Sequence, residues 1–187
     1  MADELRCDNT SVGVIAKDSQ GKILLIERKK FPTEFLDRLK HGQETTPSLG
    51  WAPPSGHLDG QTYPVACFNE FEEETGLKIV GAPRPMIPLN SRKYFKCRRG
   101  GEYHDWQIFE VNWKGELKPS PSEVKNIRWF SQEEVEDLAA TTKWYLEMKK
   151  GPEEWMGAIE RAWQISPGLE PVWYEFFKEL KIIEGSA

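Results

Sequence analysis

Three glutamates in one short segment could together hold a divalent cation. On a helix over residues 62–75, at about 100° per residue, Glu70, Glu73 and Glu74 fall on one face. Their carboxylates repel one another, and the helix dipole disfavours negative charge in the last two turns. A bound Mg²⁺ or Mn²⁺ would offset both effects, because hard cations prefer oxygen ligands. The alternative is a solvated acidic face, which a run of glutamates alone favours.

The residues on either side of this helix favour the metal-binding interpretation. The segment Ser55-Gly56-His57-Leu58-Asp59-Gly60-Gln61 precedes the helix, and Asn69-Glu70-Phe71-Glu72-Glu73-Glu74-Thr75-Gly76-Leu77 ends it. The pattern resembles the box of the Nudix hydrolase family, which runs G, five residues, E, seven residues, R-E-U-x-E-E-x-G-U, with U aliphatic or aromatic. The second half of the box matches at Glu70, Phe71, Glu73, Glu74, Gly76 and Leu77.

This resemblance implies a hydrolase that cleaves a nucleoside diphosphate linked to another moiety, with Mg²⁺ or Mn²⁺ as cofactor. It implies that Glu70, Glu73 and Glu74 are both metal ligands and catalytic carboxylates. The backbone carbonyl of Ser55, or failing that of Gly56, is a further candidate ligand. Glu123 lies on a predicted strand where some family members carry an extra acidic ligand or base; an exposed acid at the strand entry is the alternative.

Three positions depart from the family pattern. The opening glycine of the box falls on Ser55, the first glutamate is Gln61, and the arginine is Asn69. In the family, this glutamate and arginine brace the loop against the helix. Our hypothesis is that the pair changed together, so that a hydrogen bond between the Gln61 and Asn69 amides replaces an ion pair.

Five residues are candidates for binding the substrate. Arg28 ends a predicted strand near the expected cleft, and Arg92 opens a basic segment that could hold phosphates; a surface loop is the alternative for that segment. Trp51, Tyr94 and Trp106 could stack on a purine, although burial in the core is the commoner role for such rings.

The surrounding elements predict an α+β fold, a Nudix-type α/β/α sandwich with a mixed β-sheet. We expect a hairpin of strands over 10–17 and 22–28, a central strand over 103–113, a strand over 123–130, and a capping box at Ser131 that opens a helix. The core face of the glutamate helix should carry Val65, Phe68, Phe71 and Thr75. We expect one domain over 1–187, with its core at about 10–138, a helical extension at about 139–187, and an insertion at 31–48.

Composition excludes several classes of partner. The net charge of −5 argues against a nucleic-acid polymer, and no apolar run is long enough for a membrane span. The three cysteines and three histidines are scattered along the chain without ligand spacing, so the sequence predicts free thiols, a cytoplasmic location and no zinc site.

The sequence therefore predicts a Mg²⁺- or Mn²⁺-dependent pyrophosphohydrolase with a small-molecule nucleotide substrate. Nucleoside triphosphates, dinucleoside polyphosphates, nucleotide sugars and ADP-ribose all stay open, and so does the oligomeric state, a homodimer included. A non-catalytic module that binds a nucleotide or protein is the alternative, because Ser55, Gln61 and Asn69 depart from the box. A scaffold that pairs its tryptophan-rich C-terminal helices with another chain is a third.

Overall fold

The computed structural model describes residues 7–28, 50–95, 97 and 99–184, and the predicted insertion at 31–48 lies outside them. The strands in this part of the chain are β1 (Thr10–Ala16), β2 (Ile23–Arg28), β3 (Trp51–Ala52), β4 (Ser55–His57), β5 (Lys78–Pro85), β6 (Ser91–Lys93), β7 (His104–Lys114) and β8 (Val124–Phe130). The helices are α1 (Tyr63–Thr75), α2 (Gln132–Met148), α3 (Met156–Ile165) and α4 (Pro171–Glu179), with a 3₁₀ turn at Glu153–Trp155. The predicted α+β class is confirmed.

Two sheets organise the domain. In the larger sheet the strand order is β4-β1-β7-β5, and β6 also pairs with β7. Strands β1 and β7 run parallel, whereas the other pairs are antiparallel, so this sheet is mixed as predicted. Strands β3, β2 and β8 form a smaller antiparallel sheet. The central position of β7, between β1 and β5, is confirmed.

The predicted turn between β1 and β2 is present, but the prediction that the two strands pair as a hairpin is wrong. Asp18 closes the turn by accepting the backbone N–H of Gly21, and Lys17 and Ile23 form one isolated bridge. After that bridge the strands separate, because β1 pairs with β4 and β7 while β2 pairs with β3 and β8. Both strands are almost wholly buried, so each gains more from neighbours on both edges than from one hairpin partner.

Helices cover both faces of the larger sheet. Side chains alternate along β1, so Val12 and Val14 pack towards α1 whereas Ile15 packs towards α4. Trp173 of α4 is fully buried and lies so close to Gly13 that any side chain at position 13 would overlap with its ring. The C-terminal segment is therefore part of the main hydrophobic core.

The capping box that opens α2 is confirmed. The Ser131 hydroxyl accepts the backbone N–H of Glu134, and the Glu134 carboxylate accepts the backbone N–H of Ser131. From there α2 continues to Met148 without a break at the expected start of the extension. Within the described residues, every helix is too short or too polar to cross a bilayer.

Candidate active site

The helix that carries the glutamates is fixed at both ends. Pro64 lies in its first turn, where a missing N–H costs nothing. Gly76 follows its last residue with φ 75°, and its N–H donates to the carbonyl of Glu72, as expected of a residue that ends a helix. The sequence therefore fixes where the helix begins and ends.

The buried face of α1 is rotated relative to the prediction. Phe71 and Thr75 are buried as expected, but the exposed fractions of Val65 and Phe68 are 49% and 40%. Ala66 and Cys67 are buried in their place. This rotation brings Glu74 inside, so the glutamates do not form a solvated acidic face.

Glu74 is the most buried carboxylate of the three, with 4% of its surface exposed. One of its oxygens accepts the backbone N–H of Ser55 at 2.8 Å, and the other lies 3.1 Å from the Arg28 guanidinium. Burial raises the pKa of Glu74 to about 8, although Arg28 and the Ser55 N–H act in the opposite direction. The carboxylate is therefore held against strand β4 by two directional contacts.

Glu70 lies one turn earlier and is half-buried. Its carboxylate is packed so tightly on the backbone of Gly56 that a Cβ at position 56 would overlap with it. Burial raises the pKa of Glu70 to about 7; Arg28 opposes this shift, and Glu73 and Glu123 add to it. Only glycine at position 56 leaves room for this approach.

Arg28 supplies positive charge to this site. Its guanidinium donates to the carbonyl oxygen of Ser55 and, at 3.0 Å, to the Ser55 hydroxyl, and it also forms the ion pair with Glu74. Its Nε lies 3.8 Å from a carboxylate oxygen of Glu170, just before α4. Burial disfavours the charge, but Glu74 and then Glu170 raise the pKa of Arg28 above its ordinary value.

Glu73 and Glu123 are the two exposed carboxylates of the predicted set. Glu123 immediately precedes β8, whose first residue, Val124, pairs with Arg28 of β2. Burial raises the pKa of Glu70 and Glu74, and the negative charge of Glu123 adds a smaller shift in the same direction; it also helps to raise the pKa of Arg28. The fold therefore brings Glu123 to the glutamate helix from a strand about 50 residues further along the chain.

The two amides that depart from the family box are in contact. The Asn69 side-chain N–H donates to the Gln61 side-chain oxygen at 2.6 Å. The hydrogen bond predicted between these residues is confirmed, and both side chains are exposed. It connects the loop after β4 to the residue preceding Glu70.

The remaining predicted substrate contacts lie in different surroundings. Trp106 is only 7% exposed and packs edge-on against Trp173 and Phe176 in the core, the alternative role considered for it. Trp51 is half-buried against Phe130. Tyr94 is 75% exposed, and its ring lies 6.2 Å from that of Tyr103.

Arg92 is an exposed cation with a partner. It forms two hydrogen bonds of 2.8 Å with Asp105, one to each carboxylate oxygen, and its guanidinium lies over the Tyr103 ring. These hydrogen bonds raise the pKa of Arg92 above its ordinary value. A phosphate at this position would therefore compete with Asp105.

An apolar depression of about 650 Å³ borders the beginning of α1. Its lining residues are all uncharged and include Leu58, Tyr63, Ile87, Phe109 and the Gln61 amide. This lining suits an uncharged portion of a ligand better than a phosphate.

Sequence reasoning missed a second cluster, formed by Cys7, His57, Cys97 and His104. Their ligand atoms all lie within 4.8 Å of one another. Burial opposes ionisation of Cys97, but hydrogen bonds to the His104 and His57 rings lower its pKa to about 4; burial raises the pKa of Cys7 to about 11. These four residues are far apart in the sequence, as noted above, but they are close together in the folded chain. The inference from their scattered positions is therefore wrong, because four separate segments meet here. Their sequence spacing gave no signal.

The oxygen atoms of the glutamate site suit a hard divalent cation. The Glu70, Glu73 and Glu74 carboxylates and the Ser55 carbonyl are the type of ligand that Mg²⁺ and Mn²⁺ prefer. The Arg28 guanidinium already contacts the Ser55 carbonyl and Glu74, which shows that positive charge is favourable at this position. The residues present therefore fit a Mg²⁺ or Mn²⁺ site.

Comparison with known proteins agrees with this fold. The model of the NUDIX domain matches residues 8–150, which is more than half of the chain. The class of protein is therefore that of the pyrophosphohydrolases. The chain belongs to the Nudix hydrolase family.

Solved structures with similar folds include a MutT protein from Methanosarcina mazei Go1, with a TM-score of 0.51 and 19% identity over 70% of this chain and 81% of that chain. A MutT NUDIX hydrolase from Burkholderia pseudomallei has a TM-score of 0.49 and 20% identity over 67% of this chain and 84% of that one. A C. elegans Ap4A hydrolase has a TM-score of 0.42 and 18% identity over 83% and 95%. No curated protein sequence matches the chain significantly.

Proposed function

We propose that this protein hydrolyses a phosphoanhydride bond in a nucleoside diphosphate linked to another moiety, with Mg²⁺ or Mn²⁺. The observation that carries the proposal is the position of Glu70 and Glu74, both held against the Ser55–Gly56 backbone beside Arg28. Two partly desolvated carboxylates next to a backbone carbonyl form a rigid set of oxygen ligands. A purely structural helix would gain nothing from burying them.

Glu70, Glu73, Glu74 and the Ser55 carbonyl would hold the metal. When bound, the metal neutralises pyrophosphate oxygens, stabilises charge on the leaving phosphate and activates a water. The buried contacts of Glu74 keep its orientation fixed, whereas the exposed Glu73 is free to face the substrate. Arg28 contributes positive charge at the base of the site, where it offsets the repulsion between the carboxylates.

The reaction requires one water and one base. The water oxygen forms a bond to phosphorus, the bridging P–O bond breaks, and its electron pair leaves with the departing phosphate group. A carboxylate takes the proton from the attacking water; Glu73 and Glu123, which are both exposed at the edge of the cluster, are the candidates for this role.

Among the candidate substrate-binding residues, those with exposed side chains are the ones that can contact a ligand. Tyr94 offers an exposed ring to a base, and Trp51 offers a partly exposed one. Arg92 could bind a phosphate if Asp105 releases it. Trp106 contributes through the core alone, since Trp173 and Phe176 pack against it. Nucleoside triphosphates, dinucleoside polyphosphates and nucleotide sugars are the substrate classes to compare.

The test measures hydrolysis of a panel of nucleoside diphosphate derivatives with Mg²⁺ or Mn²⁺ by the nucleotide products formed, with wild type and Glu73→Gln side by side. We expect metal-dependent turnover in the wild type and a loss of at least about 100-fold in the variant, the size of effect typical when one group at a reaction centre is removed. Glu73 is chosen because it is exposed, so its substitution leaves the core intact.

Glu72→Gln is the matched control. Glu72 lies on the same helix, is exposed and pairs with Lys78 at 3.2 Å. It should keep wild-type activity, because this ion pair lies outside the glutamate site. Equal activity of Glu73→Gln and wild type on every substrate would refute the proposed role of Glu73.

A nucleotide-binding module without catalysis is the second candidate. The observation that favours it is Arg28, whose guanidinium contacts both the Ser55 carbonyl and Glu74, two of the proposed metal ligands. On this reading nucleotides would raise the melting temperature, Mg²⁺ would add nothing further, and no substrate of the panel would be turned over.

A further inference from the structure

Four side chains outside the glutamate site meet at one point. Cys7 lies before β1, His57 ends β4, Cys97 follows β6, and His104 begins β7. We propose that Cys7, His57, Cys97 and His104 bind one Zn²⁺ ion in a tetrahedral structural site. The proposal is independent of whether the chain hydrolyses nucleotides.

Four of the six distances between the ligand atoms are close to those of a tetrahedral site, and all six are within 4.8 Å. Cys7 Sγ lies 3.6 Å from His57 Nε2 and 3.2 Å from His104 Nε2, and Cys97 Sγ lies 3.5 Å from His57 Nε2. The two Nε2 atoms are 3.2 Å apart. A tetrahedral ion about 2.3 Å from sulfur and about 2.0–2.1 Å from nitrogen separates sulfur from nitrogen by about 3.5 Å and the two nitrogens by about 3.4 Å. One central ion therefore fits all four atoms.

The backbone around both cysteines is arranged for metal-bound thiolates. Asn9 N–H donates to Cys7 Sγ at 3.3 Å, and Arg99 N–H donates to Cys97 Sγ at 3.2 Å, each from two residues further along. Hydrogen bonds of this kind orient metal ligands and stabilise their charge. The same arrangement on two unrelated segments points to a requirement shared by both sulfurs.

Glycine at position 101 is a further sign of close packing around the cluster. A Cβ at this position would overlap with Cys7 Sγ. The carbonyl of Gly101 accepts the Cys97 N–H at 2.8 Å, so the same residue holds both cysteine segments together. The turn also uses Gly100, whose φ of 87° favours glycine.

The ligand set identifies the metal. Two thiolates and two imidazoles are the soft and borderline ligands that Zn²⁺ binds, whereas Mg²⁺ prefers oxygen. Four protein ligands leave no position for water, which is the property of a structural site. The carboxylates of the glutamate site and the Cys/His cluster should therefore select different metals.

The ion would fasten the loop that carries the glutamate contacts. His57 lies two residues after Ser55, on the strand whose backbone contacts Glu70 and Glu74. Asp59 continues the connection, because its N–H donates to Asp8 at 3.0 Å and its carboxylate pairs with Arg99. The zinc ligands are thus positioning residues for β4, not catalytic ones.

The test uses the full chain, expressed with zinc and purified under reducing conditions without chelators. We expect about one zinc per chain by elemental analysis, in line with one four-ligand site. Replacement of zinc by cobalt should give the visible bands of a tetrahedral ion and a charge-transfer band from cysteine sulfur to cobalt. That sulfur band separates this site from any metal held by carboxylates.

Single substitutions test which residues bind the zinc ion. Cys97→Ser and His57→Gln should each weaken zinc binding by more than the about 10–100-fold that loss of an outer-shell partner costs. Cys67→Ala is the matched control, because Cys67 is buried on α1 away from the cluster. Glu70→Gln should leave the sulfur band unchanged.

Two results would overturn the proposal. One is a wild-type chain that holds no zinc and gives no sulfur-to-cobalt band. The other is a Cys7–Cys97 disulfide in protein kept under reducing conditions and then alkylated. If Cys97→Ser does not fold, the wild-type zinc content and cobalt spectrum still decide the question.

Discussion

Arg28 and Glu74 form a largely buried ion pair, with 3.1 Å between a guanidinium nitrogen and a carboxylate oxygen. The two residues lie on different elements, β2 and α1, and both also contact Ser55 of β4. This three-way contact places the glutamate helix relative to both sheets. It also places the positive charge of Arg28 beside two of the proposed metal ligands, Glu74 and the Ser55 carbonyl, so changes to this ion pair should affect both stability and metal binding.

Arg28→Met should lower the free energy of unfolding by about 3 kcal/mol, because it leaves Glu74 buried without its partner. Addition of Glu74→Gln should recover part of this loss, since the amide removes the unpaired charge. Urea denaturation of the single and double variants measures both values.

Arg84→Met is the control for this comparison. Arg84 pairs with Glu110 but its side chain is 70% exposed, so its loss should cost less than about 1 kcal/mol. Equal losses for Arg28→Met and Arg84→Met would show that the Arg28–Glu74 pair is not important for stability.

Gly56→Ala should reduce turnover at least about tenfold, because its Cβ overlaps with the Glu70 carboxylate and must displace it. Steady-state kinetics on the substrate identified in the panel provides the measurement. The control is Gly157→Ala in α3, where the nearest atom to a new Cβ is 3.6 Å away and alanine favours the helix. Unchanged kinetics in Gly56→Ala would mean that the position of Glu70 does not matter.

The Gln61–Asn69 hydrogen bond should contribute about 0.5–1 kcal/mol to stability, as expected for an exposed neutral pair. A double-mutant cycle with Gln61→Ala, Asn69→Ala and the double variant measures this coupling. Strictly additive effects would contradict it. We also expect Gln61→Glu combined with Asn69→Arg to fold, because an ion pair can occupy the same position.

Stability should decrease in acid partly through Glu134. A hydrogen bond from Arg128, and then the Ser131 N–H, lower the pKa of Glu134. A lowered folded-state pKa stabilises the protein above the ordinary glutamate pKa, and this contribution is lost as the pH falls through the folded value.

The free energy of unfolding of Glu134→Gln should therefore be lower than that of wild type by at most about 1 kcal/mol at neutral pH. This difference should disappear in acid, where Glu134 is protonated. Thermal unfolding across pH 3–7 tests this; Glu133→Gln, which removes the same charge one residue earlier, should show a smaller pH-dependent difference. A gap for Glu134→Gln that stays constant with pH would contradict the assignment.

Short-range patterns were reliable in this sequence. The glycine after the glutamate helix, the Ser131–Glu134 capping box and the buried central strand were all confirmed, because each depends on residues a few positions apart. The placement of the three glutamates on one helix is confirmed for the same reason. Two of the three departures from the family box, Gln61 and Asn69, form the hydrogen bond that the sequence predicted.

Contacts between distant segments were decided by the tertiary structure alone. The sequence placed three glutamates on one helix, but only packing against β4 buried Glu74 and paired it with Arg28, 46 residues earlier. Trp106 is in the core because α4 covers it, and the four Cys and His ligands meet because four segments end at the same place. The physical reason is that local propensity depends on neighbours in the chain, whereas burial and convergence depend on which surfaces pack together.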